Sequence, residues 1–139
     1  MIDSKRVPAN AGAGLGRTAR QAKGDGGEAR ALVYLQQQGL KLVERNYRVA
    51  RGPSRRAGEV DLILRDRDGT LVFVEVRARA AGLQAGGAAA SVTTAKQRSL
   101  AYAAQHYLMR LPTLPPCRFD VVAIDGTELQ WLRAAFDLG

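Results

Sequence analysis

The chain has 139 residues, 46% of them hydrophobic, which suits one globular domain with a buried core. Its single cysteine, Cys117, excludes an internal disulfide, and no apolar stretch near the N-terminus is long enough for a signal peptide or a membrane span. A cytoplasmic protein with no membrane partner is expected, and the 21 Lys and Arg against 13 Asp and Glu, net charge +8, favour a polyanionic partner, nucleic acid first.

Residues 1 to 24 are rich in Gly, Ala and Arg without apolar periodicity, and read as a mobile basic tail ahead of a single domain over 25–139. Within the tail, AGAGLGRT (11–18) resembles a phosphate-binding loop, but Ala11 and Arg17 stand where that motif needs Gly and Lys, and no strand precedes it. From Glu28 to Gln38 the apolar positions Ala31, Leu32 and Leu35 share a helical face, and Gly39 supplies the stop. Leu40–Val49, Val60–Leu64 and Leu71–Val76 follow as β-prone runs.

The Ala- and Gly-rich segment Ala80–Ala90 reads as a loop. Val92 opens a second helix whose stripe is Val92, Leu100, Ala103, Tyr107, Leu108 and Leu111, ended by Pro112, Pro115 and Pro116. Two last strands, Arg118–Ile124 and Leu129–Leu132, flank an Asp125-Gly126 turn. The order α-β-β-β-α-β-β implies an α/β fold, a mixed sheet flanked by helices.

Two acids interrupt the apolar strands: Asp61 in GEVDLIL (58–64) and Glu75 in LVFVEVRAR (71–79). A buried carboxylate is costly without a partner. A two-residue turn at Asp68-Gly69 would pair Arg67 with Thr70 and put the acids on opposite faces. A three-residue loop of Arg67, Asp68 and Gly69, with Gly69 left-handed, pairs Asp66 with Thr70 and sets Asp61 opposite Glu75. This second register is expected, and two like charges so placed call for a cation, for which oxygen ligands select Mg²⁺ or Mn²⁺.

Strand alternation puts Arg77 and Arg79 on the face of Glu75, where they could neutralise a phosphate. The plainer alternative is that Asp61 and Glu75 form structural salt bridges with Arg77, Arg79 or Lys96. Lys96 falls on the inward stripe of the second helix, with a snorkelling surface Lys as the competing reading. Arg45, Arg48, Arg51, Arg55 and Arg56 form a second basic concentration suited to phosphate contacts, or else a solvated loop. Glu59, His106 and Cys117 carry no pattern beyond solvated or ordinary positions.

GEVDLIL, VFVEVRAR, Lys96-Gln97-Arg98 and RFDVVAI (118–124), with GGEARALVYLQQQGLKLVERNYR (26–48) before them, together resemble the YraN family of predicted endonucleases. That family is similar to archaeal Holliday-junction resolvases and to the restriction-endonuclease-like PD-(D/E)xK superfamily. The resemblance implies a restriction-endonuclease-like core in which Asp61 and Glu75 are the motif acids and hold the metal with a backbone carbonyl near Val76. It also implies that Arg77 stands in place of the motif Lys, and that Glu28 matches an acidic metal position on the first helix. A guanidinium cannot act as a general base, so Arg77 and Lys96 would stabilise charge. Arg98 joins the nucleic-acid contacts. For Glu28 the rival reading is a capping box, Asp25-Gly26-Gly27-Glu28, at the helix start.

The expected function is a divalent-metal-dependent DNA endonuclease, possible as a homodimer since that geometry suits two-strand cleavage. The competing expectations are a catalytically impaired nucleic-acid-binding module of the same fold, and a protein-interaction domain.

Overall fold

The computed structural model describes the backbone of residues 19–50, 57–79 and 92–137, and the side chains from Gly26 onward within them except that of Arg79. The elements are α1 (Ala19–Gln37), β1 (Lys41–Val49), β2 (Gly58–Arg65), β3 (Leu71–Arg79), α2 (Thr94–Leu108), β4 (Cys117–Asp125) and β5 (Glu128–Phe136). This is the expected order of helices and strands, as a mixed α/β fold.

The sheet runs β1-β2-β3-β4-β5, with β3 and β4 parallel and every other neighbour antiparallel. The parallel pair requires a crossover, which α2 supplies. Each face of the sheet carries one helix. On one, Ala31, Leu32 and Leu35 of α1 pack on Leu62, Leu64, Val72, Val74, Val122 and Ile124. On the other, Leu100, Ala103, Ala104 and Tyr107 of α2 pack on Val60, Ile63, Leu71 and Phe73. Phe73 is fully buried, stacks on Phe119 at 5.5 Å and meets Tyr107 edge-on at 6.2 Å. The central strands are thus covered on both sides, so a charge within them lies in a poor solvent for charge.

Helix α1 stops where expected, with Leu40 N–H bonded to Leu35 O at 3.1 Å around Gly39 at φ 100. It starts at Ala19, well before the expected Glu28. The Gly26-Gly27 pair of the capping-box reading lies inside the helix. Gly27 is buried, and a Cβ on it would come within 3.1 Å of the Ala78 Cβ in β3. The helix pays for weak propensity there with a close approach to the sheet. The capping-box reading of Glu28 therefore fails, because the helix already runs through that position. Of the tail expected over 1–24, residues 19–24 lie in α1 and residues 1–18 fall outside the described residues. The last strand is longer than expected, running to Phe136 instead of Leu132, with Ala134 at φ 48 in an irregular stretch against β4.

Candidate functional site

The β2–β3 hairpin closes as the three-residue loop. Asp66 N–H bonds to Thr70 O at 2.9 Å, Gly69 N–H bonds to Asp66 O at 3.0 Å, and Gly69 has φ 91. The ladder then pairs Arg65 with Leu71 through to Leu62 with Val74, which brings Asp61 level with Glu75. There the backbone ladder ends. The Val76 amide donates instead to Asp61 Oδ2 at 2.8 Å, so a side chain takes over where the neighbouring strand's carbonyls leave off.

Glu75 sits in the middle of β3 at 1% exposure. Its Oε2 is 3.3 Å from Arg77 Nη1 and 3.8 Å from Lys96 Nζ. Lys96 lies in the first turn of α2, where its own amide donates to the N-cap Thr93 Oγ1 at 3.2 Å, and its ammonium reaches Glu75 from a partly exposed side chain. The ion pairs foreseen as the plainer alternative are thus present for Glu75. They leave one oxygen over: Glu75 Oε1 is buried and no N–H or O–H donor reaches it, so the remaining hydrogen-bond contact of this carboxyl is the Asp61 carboxyl.

Burial pushes the Glu75 carboxyl up to about 8, helped by the negative charge of Asp61 and opposed by Lys96 and Arg77. Asp61 is also raised, chiefly by burial, against the Val76 amide that favours its charged form. Two desolvated acids side by side hold a proton between them at neutral pH unless a cation replaces it.

The donor set fits a hard divalent cation that takes one or two carboxylates and fills its remaining positions with water and phosphate oxygens, as Mg²⁺ does. It does not make a closed protein cage. Among the described residues no three His, Cys, Asp or Glu side chains are placed to share a metal ion. Glu28 is half-buried on α1, whose packing face is the opposite one from that of α2 and Lys96. Val76 contributes its amide to Asp61, which fixes the first acid beside the second.

Of the basic positions, Arg77 and Lys96 meet at Glu75. Arg48 pairs with Glu59 at 3.6 Å, and both line a cleft of about 580 Å³ with Val49, Ala50, Ala57, Gly58 and Ser99, next along β2 from Asp61. Arg45 and Arg98 are exposed. Arg79 ends β3 opposite Asp125 of β4. Arg51, Arg55 and Arg56 lie outside the described residues.

A third buried acid was not singled out from sequence, although RFDVVAI sets Asp120 in an apolar strand just as GEVDLIL sets Asp61. Asp120 is fully buried and saturated: Arg118 Nε donates to it at 3.1 Å, Trp131 Nε1 at 2.9 Å and the Ala134 amide at 2.9 Å. Arg118 also bonds Asp66 at 2.9 Å and lies 6.0 Å from the Trp131 ring centre. This network ties β4, β5 and the β2–β3 hairpin together and leaves no oxygen of Asp120 for a ligand. Saturation is what separates it from Glu75.

A family model described as "Uncharacterised protein family UPF0102" matches residues 27–124, most of the chain and all of Asp61, Glu75, Arg77 and Lys96. The chain belongs to UPF0102. A UPF0102 protein of Methylibium petroleiphilum is 68% identical over 117 residues, covering 84% of this chain and 95% of its own length. One from Acidovorax sp. is 60% identical over 126 residues, covering 91% and 92%, and one from Paracidovorax citrulli is 55% identical over 135 residues, covering 97% of each. The YraN resemblance drawn from the motifs is to this same family. The UPF0102 match opens at Gly27, the residue that seats α1 on β3, and ends at Ile124 in β4, so it spans both helices' packing faces.

Proposed function

We propose that the protein is a divalent-metal-dependent phosphodiesterase acting on nucleic acid, with DNA the expected substrate and the Asp61–Glu75 pair as its metal site. The observation that carries this reading is the contrast between buried acids: Asp120 has N–H donors on both oxygens, whereas no N–H or O–H donor reaches Glu75 Oε1 and the carboxyl faces a second acid, Asp61. Two buried carboxylates side by side need a proton or a cation between them, and a bound cation would take that place.

Asp61 and Glu75 would hold Mg²⁺ or Mn²⁺, with the Val76 carbonyl as a further ligand implied by the family's likeness to resolvases; Glu28, implied by the same likeness, is not grouped with the two acids. When bound, such a cation supplies Lewis-acid activation of a phosphoryl oxygen and a more acidic water. The chain's own side chains then have two tasks. Arg77 and Lys96, both within 4 Å of Glu75 Oε2, place positive charge at the rim of the site, where the negative charge of a phosphodiester grows during displacement. Both are assigned charge stabilisation: a guanidinium does not act as a general base, and the Lys96 ammonium lies beside a carboxyl. The net charge of +8, to which Arg45, Arg48, Arg98, Arg51, Arg55 and Arg56 contribute, would attract the backbone of the substrate without reading bases.

A second reading has its own observation. Because Arg77 and Lys96 already lie against Glu75 Oε2, the same fold could bind nucleic acid without cleaving it. Cleavage of labelled single-stranded, duplex and four-way-junction DNA in Mg²⁺ or Mn²⁺, beside folded Asp61→Asn protein, tests both. Metal-dependent cleavage lost in the variant supports the nuclease; salt-sensitive binding that ignores metal, without cleavage, leaves the binding module.

A further inference from the structure

Past a bulge at Val43, between Leu42 and Glu44, strands β1 and β2 keep one register but leave a single level unpaired. Glu44 faces Ile63 and Arg45 faces Leu62 on one side; Tyr47 faces Val60 and Arg48 faces Glu59 on the other, with no residue inserted. The level between them belongs to Asn46 and Asp61. Asn46 has φ 52, a left-handed conformation that Gly, Asn and Asp adopt and that branched side chains resist.

The effect on side-chain direction is visible in the packing. Val60 and Ile63 both lie in the α2 core, three positions apart, and their β1 partners Tyr47 and Glu44 both reach Arg110 just past α2. A regular strand returns to one face every second residue. Both strands therefore shift their face at the same level. Leu62 joins the α1 core, and Asp61 is left between the two faces with its carboxylate lying along the sheet toward β3.

We propose that Asn46 is the positioning residue of the carboxylate pair: its left-handed backbone lets β1 follow the shift that turns Asp61 toward the Val76 amide and Glu75. Without it the β1–β2 ladder would pull Asp61 back into alternation, and its carboxylate would point into one helix interface. The Asn46 side chain is exposed, so the residue acts through its backbone. The functional weight of this placement rests on the metal-site reading, but the placement itself is independent of it.

The test uses the full-length protein with Asn46→Gly, Asn46→Ala and Asn46→Val. Amide hydrogen exchange by NMR is read at Val76, with Val74 in the same ladder as the internal reference, and each protein is titrated with Mn²⁺. Gly should keep the Val76-to-Val74 protection ratio and the Mn²⁺ affinity within about twofold of wild type, while Ala and Val should lower both by about tenfold. Global loosening would lower both amides together and leave their ratio unchanged, and the Ala variant carries the test if the Val variant does not fold. An Ala variant with the wild-type ratio, or a Gly variant that loses as much as Ala, overturns the proposal. Wild-type protein without Mn²⁺ affinity would sink the metal reading, while the amide ratio would still decide the role of Asn46.

Discussion

The Val76 amide and the Asp61 carboxylate meet at 2.8 Å at the point where β2 stops pairing with β3. One hydrogen bond thus satisfies a backbone donor in the sheet and orients the first acid of the pair. Asn at position 61 keeps a carbonyl acceptor of the same shape, whereas Ala removes it. Asp61→Ala should cost about 1–3 kcal/mol in denaturant unfolding and Asp61→Asn much less, with both lacking metal-dependent cleavage. Equal losses of stability would show that the bond does not support the fold.

The carboxylate pair should write a pH signature into stability. Glu75 is raised from 4.5 to about 8, so the folded protein holds a proton that the unfolded chain releases. That stabilisation is complete below about pH 4.5 and is lost as pH rises through about 8. Asp66 acts in the opposite sense: the Arg118 bond, then the Arg67 amide, holds its carboxyl below the usual range, so its contribution is lost as pH falls through that lowered value. The metal-free protein should therefore melt at a lower temperature at pH 8 than at pH 6. Glu75→Gln should flatten that decline, and Mn²⁺ should raise the wild-type melting temperature more at pH 8. A wild-type melting temperature that does not fall between pH 6 and 8.5 would contradict the assignment.

Neighbouring glycines in α1 should respond in opposite directions. A Cβ on Gly26 meets nothing within 4 Å, so Gly26→Ala should stabilise the protein by about 0.5–1 kcal/mol through helix propensity. At Gly27 the Ala78 Cβ, the Val76 Cγ1 and the Ile124 Cδ1 stand in the way, and Gly27→Leu should cost about 1–3 kcal/mol by overpacking. Paired urea titrations separate the two, and a neutral Gly27→Leu would disprove the close seat of α1 on β3.

Asp120 should matter for folding and not for chemistry. Asp120→Ala strands the Trp131 and Ala134 N–H groups and leaves Arg118 short of one carboxylate, a loss of about 3–5 kcal/mol for a broken buried pair. Cleavage per folded molecule at low temperature should be unchanged. A variant that stays stable but loses cleavage would move Asp120 into the site.

Much of this arrangement was readable along the chain because it depends on local rules. Gly69 selects the three-residue loop, and the loop sets the parity that brings Asp61 level with Glu75; the stripes of Ala31, Leu32 and Leu35 and of Leu100, Ala103 and Tyr107 mark the buried helix faces. The start of α1 was not readable, since Gly26-Gly27 looks like a break until β3 is seen against Gly27. Strict alternation was also not kept along β2, where Val60 shares the α2 core with Ile63, three positions on.

Three acids sit in apolar strands with the same local signature, and periodicity treats Asp61, Glu75 and Asp120 alike. Their different fates come from donors that arrive through space. Trp131 and Ala134 reach Asp120 only because β5 folds back irregularly along β4, and Lys96 reaches Glu75 only because α2 crosses the sheet. Local sequence specifies which charges are buried, because burial follows the pattern of apolar neighbours. Which of those charges is fully satisfied, and which keeps an open oxygen, depends on the directions of hydrogen bonds between distant segments, and those exist only once the sheet has formed.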